Sequence, residues 1–365
     1  MKGILPAILF ICLLPLSTAT AHDYDLETVA EGLEHPWSIA FLPDGRILVT
    51  ERAGRLRLIE DGILHPEPIA EVPEAYVASQ GGLFEVMLHP DYEHNGWIYL
   101  SLAHGTPKAN TTRVVRARLE DHALTDLDVL FDSEPSKDTP VHYGGRMTFL
   151  PDETLLLGLG DGFDYREAAQ DRGSHLGSLI RLNADGSIPS DNPFVDDQDS
   201  LPEIYSSGHR NIQGIIHDPE TGLIWSHEHG PRGGDELNII RPGANYGWPA
   251  ATHGVDYSGA RITPHKSLPE MEDPIHVWTP AIAPAGMSQY RGEAFHRWQG
   301  NLLIAGLVAR AVIRVELEGE EVVATHRHFE DIGARIRAVQ TGPEGAIYIL
   351  TDSADGAVIR ANPDT

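Results

Sequence analysis

Four short stretches of this chain carry residue types that do chemistry, and they are spread from residue 142 to residue 337. The first, HYGGRMTFLPDETLLLGLGDGFD, runs from residue 142 to 164 and has His142 before one apolar run and Asp161 after the next. With a turn at Pro151-Asp152, His142 stands nine residues before the proline and Asp161 ten after it, so both belong at the same open end of one hairpin. A histidine held by a carboxylate is equipped as a general base, because the acid fixes the tautomer and stabilises the imidazolium. A plain structural hydrogen bond would use the same two residues. The second stretch, RIR at 335–337, puts Arg335 and Arg337 at the strand period of two, on one face. Two guanidiniums side by side ask for an anion, and arginine grips carboxylates bidentately; on a solvated strand they would need none.

The third stretch, EHGPRGGDELNIIRPGANYGWP at 228–249, is glycine-rich and then acidic. Gly230, Pro231, Gly233 and Gly234 make an irregular backbone that can turn carbonyls toward a cation, and Asp235 and Glu236 follow at once. Oxygen donors of both kinds suit calcium; a solvated acidic loop is the plain alternative. His227 and His229 alternate as a zinc pair would, but no third His or Cys stands at ligand spacing, which favours the hard cation. The fourth, SSGHRNIQG at 206–214, sets His209, Arg210, Asn211 and Gln213 between two glycines, as if to converge on something polar.

Elements must hold these pieces together, and the chain offers few helices: no long segment keeps apolar residues at helical spacing. One phrase returns instead, an apolar strand end, a Pro-Asp or Pro-Glu turn and a second apolar strand. It appears at FLPDGRILVTE, LHPDYEHNGWIYLSLA, FLPDETLLLGLGD, HDPETGLIWSHEHG and TGPEGAIYILTD, with a looser copy at RWQGNLLIAGL. The turn prolines are spaced by 47, 61, 68 and 124 residues, the last spanning two units if the loose copy counts. Irregular periods of this size predict an all-β fold, a six-bladed β-propeller with its site on the loop face around the central channel. A β-sandwich is the alternative, with strands more evenly spaced.

Composition narrows the function. Residues 1–21 read as a cleavable signal peptide: Lys2, the apolar run ILPAILFICLLPL, then ATA, with cleavage after Ala21. The run is too short to span a bilayer and no stretch of about 20 apolar residues follows it. The expectation is an exported protein, periplasmic or extracellular, with residues 22–365 as one propeller domain. Cys12, the sole cysteine, lies in the leader, so the rest has neither disulfides nor a thiol ligand. Without the leader, 26 Lys and Arg face 54 Asp and Glu, a formal charge of −28. That excludes nucleic acid as a partner and makes divalent cations plausible ones. No coiled coil or apolar interface stripe is visible, so a monomer is expected.

The chain resembles the soluble pyrroloquinoline-quinone (PQQ)-dependent sugar dehydrogenases, more the aldose sugar dehydrogenase branch than the soluble glucose dehydrogenase branch. The resemblance rests on HPWSIAFLPDGRILVTER, QGGLFEVMLHPDY, HYGGRMTFLPD, LGSLIRLNADGSIPSDNPF, GHRNIQG, EHGPRGGDELN, GANYGWP, WTPAIAPAGM and RIRAVQTGPEGAIYILTD, in family order from about 34 to 352. It implies a six-bladed propeller that oxidises aldoses at C1 to lactones, with hydride passing to the quinone. In that reading His142 is the base, Asp161 orients it, and Arg210 stabilises charge on the quinone. Gln80, Arg210, Asn211, Tyr257, Arg335 and Arg337 form the cofactor-binding set. The carbonyls of Gly230 and Pro231 hold a calcium against the cofactor, Glu236 and the Tyr246 carbonyl hold a second, structural one, and Trp278 walls the substrate pocket. His209 has no role beyond packing or hydrogen bonding.

One departure stands out: relatives carry a lysine where this chain has Val308, and Arg310, two residues on, is the candidate replacement. The pocket loops are short, which implies an open, broadly specific site. The electron acceptor implied is a cytochrome or a membrane quinone. Two other functions fit the bare residues: a calcium-dependent propeller lactonase, which has no use for Arg335 and Arg337, and a non-catalytic exported carbohydrate-binding propeller.

Overall fold

A computed structural model describes residues 24–364; the leader, 1–21, lies outside them. Six four-stranded antiparallel sheets are arranged as the blades of a propeller. Blade 1 comprises Pro36–Phe41, Ile47–Glu51, Arg55–Glu60 and Ile63–Leu64; blade 2 comprises Leu83–Leu88, Trp97–Thr106, Ala109–Glu120 and Ala123–Asp132. Blade 3 is built from Gly144–Phe149, Leu155–Leu159, Leu179–Leu182 and Ile204–Ser206, and blade 4 from Ile212–His217, Ile224–Glu228, Asp235–Ile239 and His276–Trp278. Blade 5 holds Pro284–Gln289, Leu302–Gly306, Ala311–Glu318 and Glu321–His328. Blade 6 holds Ile336–Thr341, Ile347–Thr351 and Gly356–Pro363, and its outer strand is Tyr24–Leu33 from the other end of the chain.

Each repeated turn joins the first two strands of one blade, and the loose copy at RWQGNLLIAGL is the hairpin of blade 5. Blade 6 closes the ring: Tyr24 pairs with Pro363 and Leu33 with Gly356, which ties the first described strand to the last. No local sequence signal announces that pairing. Among the described residues no helix exceeds five residues, and none is long and apolar enough to cross a membrane.

Six of the seven apolar clusters of the core lie one at each junction between neighbouring blades, and the seventh, Trp37, Phe84, Ala103 and Tyr143, lies at the loop end of blades 1 to 3. Leu48 and Leu56 of blade 1 meet Leu83 and Leu100 of blade 2, and Leu303 and Val312 of blade 5 meet Ile336 and Ile347 of blade 6. Sheets covered on both faces need no polar side, so Leu155–Leu159, sequence LLLGL, is buried throughout. With each blade gripped on both sides and the ring closed, no disulfide is needed.

The channel has an axle. Arg146, 5% exposed, projects from the inner strand of blade 3. It donates to Gln213 O of blade 4 (3.0 Å), Glu85 of blade 2 (3.1 Å), Arg337 O of blade 6 (3.4 Å) and Trp37 O of blade 1 (3.5 Å). Its guanidinium also lies 3.6 Å from the centre of the Trp37 ring. A Cβ on Gly286 of blade 5 would come within 3.2 Å of it, so every blade abuts this one side chain. On the turn side of it the channel opens as a cavity of 340 Å³; on the other side lies the candidate site.

Candidate active site

Nearly every residue singled out above lies where a blade's inner strand begins or its second strand ends. His142 precedes Gly144–Phe149 and Asp161 follows Leu155–Leu159; Arg210 and Asn211 precede Ile212–His217; His229 to Pro231 follow Ile224–Glu228. Arg335 precedes Ile336–Thr341 and Gln80 precedes Leu83–Leu88. All these positions are at the end opposite the Pro turns, so one face collects them.

The spacing about Pro151 brings His142 and Asp161 together. His142 Nδ1 donates to Asp161 Oδ1 at 2.7 Å, with both side chains buried. Asp161 also accepts from the Phe163 amide and from Trp248 Nε1, each at 2.8 Å. Burial alone would push the Asp161 carboxyl up, but these donors and the nearby Arg210 hold it below the ordinary carboxylate value. Burial, the largest influence, keeps the His142 imidazolium below its ordinary pKa, against the pull of Asp161. The product is a neutral imidazole whose Nδ1–H is committed, leaving the lone pair on Nε2. His142 sits at φ 53°, a left-handed conformation that costs of order 1 kcal/mol or more in a non-glycine residue. Its amide is pinned by Gln80 Oε1 at 2.8 Å. Gly144, at φ 71°, lets the strand start there, since a Cβ would collide with the Gly158 carbonyl.

Beside this dyad lies a cavity of 220 Å³ lined by Gln80, Asn211, Arg335 and Arg337, with Trp37, Phe84 and Tyr143 as apolar walls. The paired arginines do face an anion: Arg335 and Arg337 donate to Asp352 Oδ2 at 3.2 and 3.1 Å. Asp352, from the end of the next strand, was not among the sequence candidates; its carboxyl lies far below the ordinary range, with Arg337 the strongest of the groups opposing its burial. Arg52 also lines the cavity, and it too escaped the sequence reading. Val308 is on the wall, 62% exposed, whereas Arg310 is exposed and lines no part of it.

A second cavity, 280 Å³, is lined by Asp161 of the dyad together with Arg210 and Trp248, and is bounded by Phe163, Pro231 and Tyr257. Tyr257 therefore belongs to this side, its ring stacked on Phe163 with 6.2 Å between centroids and its hydroxyl 3.5 Å from Arg210 Nη2. Trp278 does not wall either cavity. It is buried in the core between blades 4 and 5, because strand His276–Trp278 is the outer edge of blade 4.

The glycine-rich loop divides differently from its sequence. Asp235 accepts from Gly230 N, Ile282 N and Ala283 N, so it organises backbone; burial pushes its carboxyl up to about 6. Arg210 Nη1 donates to Gly230 O at 2.8 Å and to His229 O at 3.1 Å, so a cation at the Gly230 carbonyl would share it with that guanidinium or displace it. His229 donates to Pro284 O at 2.7 Å and is held neutral, pushed down to about 3 by burial and then by Arg210. His227 is buried inside blade 4 and does not join it as a metal pair. His209 stacks on Tyr246 and bonds Ser206, a packing residue as expected.

Glu236 has the environment of a cation ligand. It pairs in register with Glu228 on the neighbouring strand, both carboxylates buried. Like charges directly opposed in a sheet destabilise it. Burial first, and Glu228 next, raise the Glu236 carboxyl well above the ordinary value. The two glutamates and Tyr246 line a void of about 10 Å³, room for one ion. Among the described residues no three His, Cys, Asp or Glu side chains group as metal ligands; the side-chain oxygens this void offers are those of two carboxylates. They suit a hard divalent cation. Glu228 could have been found from sequence only with the strand register in hand.

A propeller with a buried His–Asp dyad beside an arginine-lined cavity defines a class of loop-face enzyme, and comparison with known proteins places the chain within it. It belongs to the glucose/sorbosone dehydrogenase family, whose model matches residues 33–360, and is thereby an oxidoreductase. It is 38% identical over 359 residues to aldose sugar dehydrogenase YliI of Escherichia coli, covering 97% of this chain and 96% of that one. The crystal structure of the soluble aldose sugar dehydrogenase from Escherichia coli in its apo-form superposes with a TM-score of 0.90 at 38% identity, over 93% of this chain and 100% of the other. The PQQ-bound aldose sugar dehydrogenase of Streptomyces coelicolor superposes with a TM-score of 0.74 at 28% identity, over 93% and 98% of the two chains.

Proposed function

We propose that this protein oxidises aldose sugars at C1 to lactones, with pyrroloquinoline quinone as bound electron acceptor and calcium beside it. The observation that carries the reading is the His142–Asp161 dyad opening beside a cavity with excess positive charge. His142 takes the C1 hydroxyl proton on Nε2, the nitrogen left by the Nδ1–Asp161 bond, and Asp161 stabilises the imidazolium that forms. When bound, the quinone supplies the two-electron sink that receives the C1 hydride, and calcium polarises it. Arg335 and Arg337 bind cofactor carboxylates, and Asn211 and Gln80 complete the wall. Arg210, held by the carbonyls of His229 and Gly230, supplies a donor for negative charge that develops on a cofactor oxygen. Gly230 and Pro231 carbonyls hold the calcium at the cofactor. Glu236, Glu228 and the Tyr246 carbonyl hold a second, structural one.

The 280 Å³ cavity beside the dyad receives the sugar. Its short, open surround supports broad specificity. The protein is exported as a monomer, and a cytochrome or a membrane quinone reoxidises the cofactor. The test is reconstitution: purified protein, calcium and increasing quinone, with dye reduction and lactone formation followed for a panel of aldoses. Saturable, calcium-dependent turnover is expected. Absence of both turnover and any spectral change on adding quinone would sink the reading, and lactone hydrolysis without dye reduction would replace it with the lactonase.

A further inference from the structure

The cavity assigned above to the quinone is lined by a half-buried cation that makes no hydrogen bond or ion pair among the described residues, although its charge also reaches Glu34. Arg52 follows strand Ile47–Glu51 of blade 1 and lines this cavity with Arg335, Arg337 and Asp352. Its backbone is fully engaged: the amide donates to His35 O at 3.1 Å, and the carbonyl accepts from Leu83 N at 3.3 Å. Its guanidinium, in contrast, forms no hydrogen bond or ion pair among the described residues. Nor is it remote, since its charge is among the influences that depress Arg337, after burial, to about 10.

Local backbone is built for this placement. Gly82 has φ +155°; a Cβ there would collide with the Arg52 carbonyl and stand 2.7 Å from Arg52 Cγ. Only a glycine lets the Arg52 stem lie against the loop that carries Gln80. Three guanidiniums against the single carboxylate of Asp352 leave a surplus of two positive charges in a 220 Å³ cavity, since His229 on the same wall is neutral. A polycarboxylate is the ligand chemistry that balances them. Across the same cavity blade 5 offers Val308, which can neither donate nor carry charge.

We propose that Arg52 is the third carboxylate-binding guanidinium of the cofactor cavity, so that blade 1 supplies the charge blade 5 lacks at Val308. The proposal rests on the quinone reading. It is tested without turnover, by titrating the cofactor-free protein, in calcium, with pyrroloquinoline quinone and with its trimethyl ester. Equilibrium dialysis and quenching of tryptophan fluorescence report binding, Trp37 being on the cavity wall. Arg52→Gln should weaken binding of the free acid by about tenfold, the scale of one charge-assisted contact, and leave the ester's affinity unchanged. Adding Val308→Lys to Arg52→Gln should recover most of the loss.

Equal affinity of wild type and Arg52→Gln for the free acid overturns the Arg52 assignment and leaves the quinone reading intact. Equal loss of acid and ester binding, with no recovery by Val308→Lys, also overturns it, because the defect is then one of shape and not of charge. Failure of the folded wild type to bind quinone at all overturns the quinone reading and this proposal together.

Discussion

Asp161 and Glu236 are both buried carboxylates, set by neighbouring blades at the same face, and their surroundings are opposites. Asp161 accepts from a backbone amide, an indole and an imidazole, so the chain itself supplies all that its charge needs. Glu236 faces Glu228 across the strands, and the chain supplies more negative charge. Burial pushes both carboxyls up; donors and Arg210 reverse that at Asp161, and Glu228 adds to it at Glu236. A carboxylate completed from within is free to act on its neighbour, here His142. One left in repulsion marks a place for an ion from outside.

The sharpest way to break the comparison is to remove what Asp161 serves. His142→Ala should cut kcat about 10³-fold, within the range a positioned general base contributes, while quinone affinity changes little. Stopped-flow reduction of the loaded protein by sugar, with a separate binding titration, measures the two quantities. Full turnover with quinone bound would show that the dyad has no catalytic meaning.

Asp161→Asn comes next, keeping shape and losing charge. A fall of roughly 10²-fold or more is expected, because an amide no longer fixes the Nδ1–H tautomer or stabilises the imidazolium. The pH profile adds a sign. The base works only when neutral, and burial holds its folded value below the ordinary 6.5. Wild-type kcat/KM should therefore stay level as pH falls through 6.5 and drop only below it. Asp161 pushes that value up, so Asp161→Asn should move the acid limb to still lower pH while lowering the plateau. A limb that moved toward neutral pH would contradict the assignment.

For Glu236 the same kind of change has the opposite consequence. A chelator should lower the melting temperature of the wild type by about 5 °C, the scale expected for loss of an ion present well above its dissociation constant. Glu236→Gln removes the repulsion with Glu228, so in chelator it should melt above the wild type, and calcium should then add little. If calcium stabilised wild type and variant equally, Glu236 would not be a ligand.

Much of this contrast was legible in sequence, and the part that was not has a physical reason. The hairpins were visible because a Pro-Asp turn between apolar strands is a local signal, and the same locality set His142 opposite Asp161. Asp352 and Glu228 were not visible, because each meets its partner across a strand pair whose register the sequence does not state. The closing strand Tyr24–Leu33 pairs with Gly356–Pro363 from the far end of the chain and carries no mark of it. Arg310 was sought near Val308 in sequence, whereas Arg52 reaches the cavity from another blade. Trp278 looked like a pocket wall and is core, since an edge strand turned its ring between blades.

Trp248→Phe gives the smallest expected effect and the finest test of what completes Asp161. The indole N–H donates to Asp161 Oδ2 at 2.8 Å, and its ring lies 5.2 Å from the Arg210 guanidinium carbon. Phenylalanine keeps an aromatic face toward Arg210 and deletes one donor of the three. The remaining two hold Oδ1, so the His142 contact survives and Oδ2 loses its partner. Losing one such bond to a charged acceptor is worth about 1.5–3 kcal/mol at most, and only the part that loosens the positioning of the imidazole lowers the rate. A reduction in kcat of about threefold to tenfold is expected on that basis. The Asp161 carboxyl should rise while remaining ionised at neutral pH, and the more basic carboxylate holds the imidazolium more tightly, so the acid limb of kcat/KM should shift upward in pH, opposite to Asp161→Asn and by less. A Trp248→Phe profile that matched wild type in both height and limb would mean that the Oδ2 bond orients the loop alone, and that the dyad is complete with two donors.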